Sequence, residues 1–373
     1  MAIRVAFDMT PTLGTRTGIG NVVTHLYESI SDESAIELVP YTLSYKARSF
    51  ADELPDNNIF IKYPARILLA AWKYSNLFSL DKAMEEIDVW HATNYLAPPT
   101  NNPLLITIHD VTMVKYPDLV PAQVRSLAPM ISRRLRAGAH VQVPAHAIKE
   151  DVLEHFGSDI EDTSHIHVIP FSVPDLVESP PSSRVQKLSE GDPYILCIGA
   201  LEPRKNHARL IDAFEIIHAS NPHVRLFLVG PDGPARPAID AALARLSHNA
   251  RSRVVITGSV SDADRTWLLH HAHLVAYPSL YEGFGLPLLE AMTAHAPIVT
   301  TREGSLEEIA ASAAHYVDAH DSNDIARGIL EVLESQETRD RLIAAGNNRI
   351  NDFSWAQSAR MLTDTYIAIA KKN

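Results

Sequence analysis

The segment Tyr281 to Glu290 reads Y-E-G-F-G-L-P-L-L-E and sets two carboxylates, Glu282 and Glu290, on either side of a glycine-containing turn. Gly283 and Gly285 let the backbone turn tightly and approach a ligand, and Pro287 falls where the first turn of a helix tolerates it. A buried strand over His273 to Tyr277, a glycine loop and a helix N-terminus are therefore expected. Several backbone N–H groups would then stand unpaired at the positive end of that helix, beside the glutamates. Such a corner suits an anionic or hydroxyl-rich ligand. A hydrolase pair fits poorly: eight helical steps separate the two carboxylates by about 12 Å, whereas retaining glycosidases need about 5 to 5.5 Å.

A second chemical feature is G-A-L-E-P-R-K-N, Gly199 to Asn206. Arg204 and Lys205 are adjacent cations just past an apolar run, Tyr194 to Gly199, and are suited to a diphosphate, Arg as a fork and Lys as a point charge. Together with the glycine loop they describe a site for a nucleotide diphosphate carrying hydroxyls. Glu282 would accept hydrogen bonds from those hydroxyls, and Glu290, in the first helical turn, would hold a ribose. A third feature is T-G-I-G-N, Thr17 to Asn21, ahead of apolar residues at helical spacing. It lacks a third glycine where Val23 stands and does not leave a strand directly, so a dinucleotide fingerprint is rejected. A glycine loop near a phosphate or an acceptor is the remaining functional expectation.

These residues need a scaffold, and the chain supplies two alternating series. Short apolar strands near Ile3–Phe7, 37–43, 87–90, 104–108, 141–143 and 167–169 alternate with helical patterns. A second series follows near 194–199, 224–230, 253–257, 273–277, 297–301 and 315–318. Such alternation implies α/β, doubly wound domains, with His91 and His109 at carboxyl ends of strands. The Pro- and Ser-rich stretch 172–192 reads as a linker. Residues 1–171 are thus expected to form one domain and residues 193–355 a second. Chemistry is expected in a cleft between them, with closure on ligand binding.

Totals narrow the functional class. A length of 373 residues with 46% apolar and 21% charged residues supports two ordinary cores. A net charge of −12 argues against nucleic-acid binding. The one cysteine, Cys197, reads as a core residue, and no spacing resembles a zinc site. The chain's first residues look like a strand rather than a secretory signal, and no apolar run approaches a membrane span. A cytoplasmic enzyme is expected, with contact to the inner membrane face allowed. Trp72, Tyr74 and Phe78 with Lys62, Arg66 and Lys73 could touch lipid headgroups, but this segment reads more simply as a packing helix. Arginines 125, 133, 134 and 136 read as a solvated helix face.

Gly199 with Arg204-Lys205, the E-G-F-G-L-P-L-L-E stretch, the T-G-I-G loop and T-I-H-D at Thr107 to Asp110 resemble the family-4 retaining glycosyltransferases of the GT-B fold. The resemblance covers nearly the whole chain, including F-S-W at Phe353 to Trp355. It implies two Rossmann-like domains facing across a cleft, the first on the acceptor side and the second on the nucleotide-sugar side, with a C-terminal helix over 356–373 returning to the first. It further implies Arg204 and Lys205 on the donor diphosphate, Glu290 on the ribose, and Glu282 with the backbone of Gly283, Phe284, Gly285 and Leu286 on the donor sugar. Gly199 would border the donor, His109 would face the sugar, and Gly18 and Gly20 would lie near the diphosphate or acceptor. Asn94 and Asp110 would serve the acceptor side. No metal and no cofactor are implied beyond the nucleotide diphosphate sugar as co-substrate. H-A-T-N at His91 to Asn94 with T-I-H-D looks like members using GDP-mannose or related donors, and the acceptor would be a glycan or a lipid-linked glycan. The chain departs from many relatives in A-M-T-A-H-A-P, Ala291 to Pro297, where His295 replaces a cysteine- or glycine-bearing turn. A non-catalytic sugar-nucleotide-binding subunit and a sugar-nucleotide epimerase remain the competing classes, and the oligomeric state stays open.

Overall fold

The computed structural model describes residues 2–14, 18–44, 47–61, 65–75, 78–84 and 86–371. Thr17 of the T-G-I-G loop and Lys62 lie outside the described residues, as do the side chains of Arg66 and Tyr74. The chain forms two compact units. One comprises Met1–Ser172 together with Ser354–Asn373, and the other Val173–Phe353.

The first unit is built on seven strands: β1 (Ile3–Asp8), β2 (Ile36–Leu43), β3 (Ile59–Ile61), β4 (Val89–Ala92), β5 (Leu104–Thr107), β6 (His140–Val143) and β7 (Ile166–Val168). Their order is β3-β2-β1-β4-β5-β6-β7, and every pairing is parallel. Parallel strands covered by helices are buried on both faces, so they read as apolar runs. The edge strand β3, three residues long, is not among the strands expected from the sequence. The order reverses between β1 and β4, the switch point at which such sheets open a crevice beyond their strand ends.

The second unit holds β8 (Tyr194–Ile198), β9 (Arg225–Val229), β10 (Val254–Gly258), β11 (Leu274–Tyr277), β12 (Ile298–Thr300) and β13 (Ala314–Tyr316). The order is β10-β9-β8-β11-β12-β13, again parallel, with its switch point between β8 and β11. Leu196, Leu226, Leu228 and Val275 are fully or almost fully enclosed, with Phe214 and Ile217 of the helix His207–Ser220 among the core residues. The doubly wound α/β class expected from the alternation is therefore observed in both units.

Three local expectations are corrected. Residues Ser183–Ser189, placed in a linker, form a helix belonging to the second unit. Ser182 caps it, and the Ser182 amide and hydroxyl also donate to Asp264 at 2.6 and 3.0 Å. Arg134, read as part of a solvated face, is buried, and its Nε donates to the Ala97 carbonyl at 3.1 Å. Gly20 is not in a loop: the helix Gly18–Ser31 already includes it. A Cβ there would stand 2.8 Å from the Pro11 carbonyl oxygen, so this glycine allows the helix to approach the segment after β1.

The chain's closing helix, Trp355–Ala370, belongs to the first unit, as the resemblance implied. Its Ser354 cap accepts from the Gln357 amide, and Tyr366 is fully buried. The Tyr366 hydroxyl donates to Nδ1 of His91 at 2.6 Å, while His91 Nε2 donates to Thr107 Oγ1 at 2.8 Å. Thr107 passes the chain on to Gln142 Oε1 at 2.7 Å, which fixes His91 as neutral. Burial, helped by His109, pushes the His91 imidazole down to about 3. Replacing Tyr366 by Phe should strip the donor from buried Nδ1 and lower stability by about 1–3 kcal/mol. Urea unfolding of the Tyr366→Phe variant measures this directly; a wild-type midpoint would show that the link contributes nothing.

Candidate active site

At the second unit's switch point, the segments after β8 and β11 converge. Gly199 leaves β8 with φ of 144°, and a Cβ at that position would lie 3.4 Å from the Lys205 Cε, so the glycine makes room for the lysine stem. Pro203–Lys205 form a short 3-10 turn that ends at Asn206 in the left-handed region, φ 62°. Asn206 then locks the turn to the neighbouring loop: its Nδ2 donates to the carbonyls of Pro278 at 3.0 Å and Ala319 at 2.7 Å. The Leu280 amide reaches back to the Arg204 carbonyl at 2.7 Å.

The loop from Pro278 to Gly285 is held from its other side by β12 and the segment beyond it. Thr300 and Thr301 hydroxyls donate to the carbonyls of Tyr277 and Ser279, both at 2.8 Å. The Ser305 amide donates to the Glu282 carbonyl at 3.0 Å. Gly304, φ 64°, sits so close that a Cβ would be 2.3 Å from that same oxygen. Of the two glycines in the loop, Gly285 alone takes a left-handed conformation, φ 90°, and it caps the helix Leu286–Thr293 with Pro287 in its first turn. Gly283 is buried, and Phe284 packs edge-on against Phe353.

This frame fixes Glu282 inside the protein, 5% exposed. Its Oε2 accepts from Arg204 at 2.5 Å, and its Oε1 accepts from Lys205 Nζ at 2.6 Å and from the Tyr277 hydroxyl at 2.9 Å. Burial alone would raise this carboxyl, but Arg204 and Lys205 outweigh it and hold it at about 2. The expectation of a glutamate standing open to sugar hydroxyls is thus corrected: the carboxylate is shared between two cations. Lys205 is itself pushed below its usual value by burial and by Arg204, with Glu282 opposing. Glu202 adds a second carboxylate, accepting from Arg204 Nε at 2.9 Å, so two cations are balanced by two carboxylates beside the N-terminus of the helix Leu286–Thr293.

Glu290 does not join that cluster. It pairs with Arg265 of the helix Asp262–His270, while its Oε2 is buried without a hydrogen-bond partner. Sequence reasoning missed Arg265, Tyr277, Gly304 and Ser305. Only Tyr277 carried a usable signal, as a hydroxyl at the end of an apolar strand.

In the first unit, His109 follows β5 and donates from Nε2 to the Thr93 carbonyl at 2.9 Å, which leaves Nδ1 as the lone-pair nitrogen. Burial pushes its pKa down, against the Thr93 carbonyl and the Asp110 charge. Asp110 caps the next turn by accepting from the Thr112 amide at 2.9 Å, and the Asn94 side chain accepts from the Tyr95 amide at 2.8 Å. Tyr95 ties these together, its ring edge-on to His109 and its hydroxyl on the Asp110 carbonyl. Gly18 is exposed at the start of the helix Gly18–Ser31. Asp8, at the end of β1, is a buried carboxyl that the sequence did not single out; burial raises it to about 6 against two hydrogen bonds from Thr10.

The pH dependence of Glu282 has a definite sign. Its carboxyl is depressed from 4.5 to about 2, so its contribution is present above 4.5 and lost as pH falls toward 2. Removing the charge leaves Lys205 buried against a neutral amide, and breaking a buried pair costs about 3–5 kcal/mol. Glu282→Gln should therefore unfold at markedly lower urea than the wild type at pH 7. The gap should narrow between pH 4.5 and 2; a gap independent of pH would remove the ion cluster from the account.

Residues 179–349 match the family model described as "Glycosyl transferases group 1". O-antigen chain mannosyltransferase B of Escherichia coli is 24% identical over 98% of this chain and 99% of its own length. Serotype-specific mannosyltransferase WbdA of the same species is 31% identical over 49% of this chain, which spans 22% of that protein. Among solved structures, sucrose-phosphate synthase from Thermosynechococcus elongatus superposes with a TM-score of 0.77 over 100% of both chains at 19% identity, a likeness of fold. A group 1 glycosyltransferase domain thus spans residues 179–349, mannosyltransferases are among the proteins this chain resembles, and its fold is like that of the solved synthase.

Proposed function

We propose that the protein transfers a hexose, mannose in the first instance, from a nucleoside diphosphate sugar to an acceptor hydroxyl, retaining the anomeric configuration and using no metal. The observation that carries this reading is the buried cluster of Arg204, Lys205 and Glu282 beside the start of the helix Leu286–Thr293. A diphosphate exchanges Glu282 for phosphate oxygens on both cations, and the released carboxylate then meets the donor sugar. Glu290, its second oxygen still without a partner, takes the ribose hydroxyls. The mannosyltransferases among the relatives support a mannosyl donor, and GDP-mannose is the first to test.

The bond from the anomeric carbon to the diphosphate oxygen breaks, and its electron pair leaves with the diphosphate. The acceptor oxygen forms the new bond on the same face, and its proton goes to the departing diphosphate. Charge growing on that leaving group is what Arg204 and Lys205 stabilise. On the first unit, Asn94 and Asp110 serve the acceptor, and His109 is kept neutral with Nε2 on the Thr93 carbonyl.

A lipid-linked glycan is a fitting acceptor, because Lys73, Arg133, Arg136 and His155 line one open hollow of the first unit with Asp159 as the lining carboxylate. No helix among the described residues is long and apolar enough to cross a membrane. Flotation with anionic vesicles should carry the protein along and release it in salt; recovery in the unbound fraction at low salt would remove the membrane from the proposal.

Losing one preorganised donor of this kind lowers rates roughly 10²- to 10³-fold. Arg204→Ala should lose that much kcat in a panel of nucleoside diphosphate sugars, with product configuration read by proton NMR and each assay repeated in chelator. Turnover near wild type in Arg204→Ala would defeat the assignment. Incubation with donor alone should release nucleotide slowly, whereas an isomerised sugar would point to an epimerase.

A further inference from the structure

Tyr277 ends β11, and its hydroxyl sits between the two charges that face each other in the cluster. It donates to Glu282 Oε1 at 2.9 Å and also meets Lys205 Nζ, while that ammonium lies 4.5 Å from the tyrosine ring centroid. Lys205 closes the triangle onto the same Oε1 at 2.6 Å. Tyr277, Lys205 and Glu282 are 1%, 7% and 5% exposed, so water does not stand in for any missing partner. The backbone of Tyr277 is fixed as well, by the Thr300 hydroxyl on its carbonyl.

We propose that Tyr277 is a positioning residue for the transfer reaction, holding Lys205 and Glu282 in place while the diphosphate draws the cations toward itself. The inference rests on the function proposed above. When Arg204 and Lys205 turn to phosphate oxygens, Glu282 loses two of its donors, and a bare buried carboxylate would compete to pull them back. The tyrosine O–H remains on Oε1 and lessens that competition. Its oxygen accepts from the ammonium in the meantime, so Lys205 enters the exchange already oriented.

Tyr277→Phe removes one oxygen and keeps the ring against the lysine. The loss of one hydrogen bond to a charged group predicts a fall of about 10- to 100-fold in kcat/KM, alongside a lowered thermal midpoint, so the pH limbs and ligand affinity carry the test. A merely structural tyrosine would not move the pH limbs of the rate profile, whereas this one should. Lys205 titrates among Arg204, Glu202, Glu282, Cys197, His207 and Tyr277. Losing an acceptor lowers its pKa and brings the alkaline limb to lower pH; losing a donor raises the Glu282 carboxyl and brings the acid limb to higher pH.

Calorimetry with inorganic pyrophosphate gives a second readout that needs no turnover, with affinity expected to fall about tenfold in Tyr277→Phe. Wild-type kcat/KM, unshifted limbs and unchanged pyrophosphate affinity in a folded Tyr277→Phe protein would overturn the proposal. Absence of transfer by the wild type on every donor would instead strike the functional reading, and the pyrophosphate comparison would still decide whether Tyr277 positions the cations.

Discussion

A carboxylate removed from water between an arginine and a lysine is the constraint around which the second unit's strand ends are arranged. Isolated, any one of these three charges would be expensive to bury; together, with the tyrosine hydroxyl, they satisfy one another. Their surroundings follow from that requirement. Gly199 clears space for the lysine stem, Asn206 fastens the cationic turn to the loop carrying the carboxylate, and Gly304 with Ser305 pins that loop's backbone. Few of these contacts add much alone. Their combined effect is that the cations are gathered at the strand ends before any ligand arrives, so a diphosphate has only to displace carboxylate oxygens from them.

The two units solve the same topological problem with different chemistry. Each reverses its strand order in the middle of a parallel sheet and places polar groups just beyond the strands on either side. The second unit fills its switch point with formal charge. The first presents a neutral imidazole and carboxylates instead: His109 with one ring nitrogen on a backbone carbonyl, Asp110 beside it, and Asp8, raised to about 6, whose main-chain carbonyl is met by the Thr93 hydroxyl at 2.6 Å. A diphosphate is suited to the former, and an uncharged hydroxyl to the latter.

Much of this was legible in the residues. Buried parallel strands read as short apolar runs, so nearly all of the sheet order's members could be placed; the edge strand Ile59–Ile61, between Asn58 and Lys62, was not. Charges at the ends of those runs marked Arg204, Lys205 and Glu282. What could not be read was which charge neutralises which. Glu282 and Glu290 look equivalent as letters, yet one is shared by two cations and the other pairs with Arg265, twenty-five positions upstream on a separate helix. Gly20 misled for a related reason: a glycine that loosens a loop and one that lets a helix touch a neighbouring carbonyl are the same residue until the neighbour is known. His295 shows the reverse case, a histidine at φ 55° ending a helix where glycine is usual, with its ring on Asn347 at 2.6 Å.

The contact between Tyr366 and His91 joins residues 275 positions apart in the chain. The whole of Val173–Phe353 is therefore synthesised between the first unit's last strand and the helix that completes it. On a ribosome, where domains tend to fold as they emerge, the later-encoded unit is contiguous and can finish while the earlier one still waits for its closing helix, with Nδ1 of His91 lacking the tyrosine. Order of emergence and order of completion are thus inverted in this protein, and the nascent first unit is the part that most needs shielding from its neighbours on a crowded polysome.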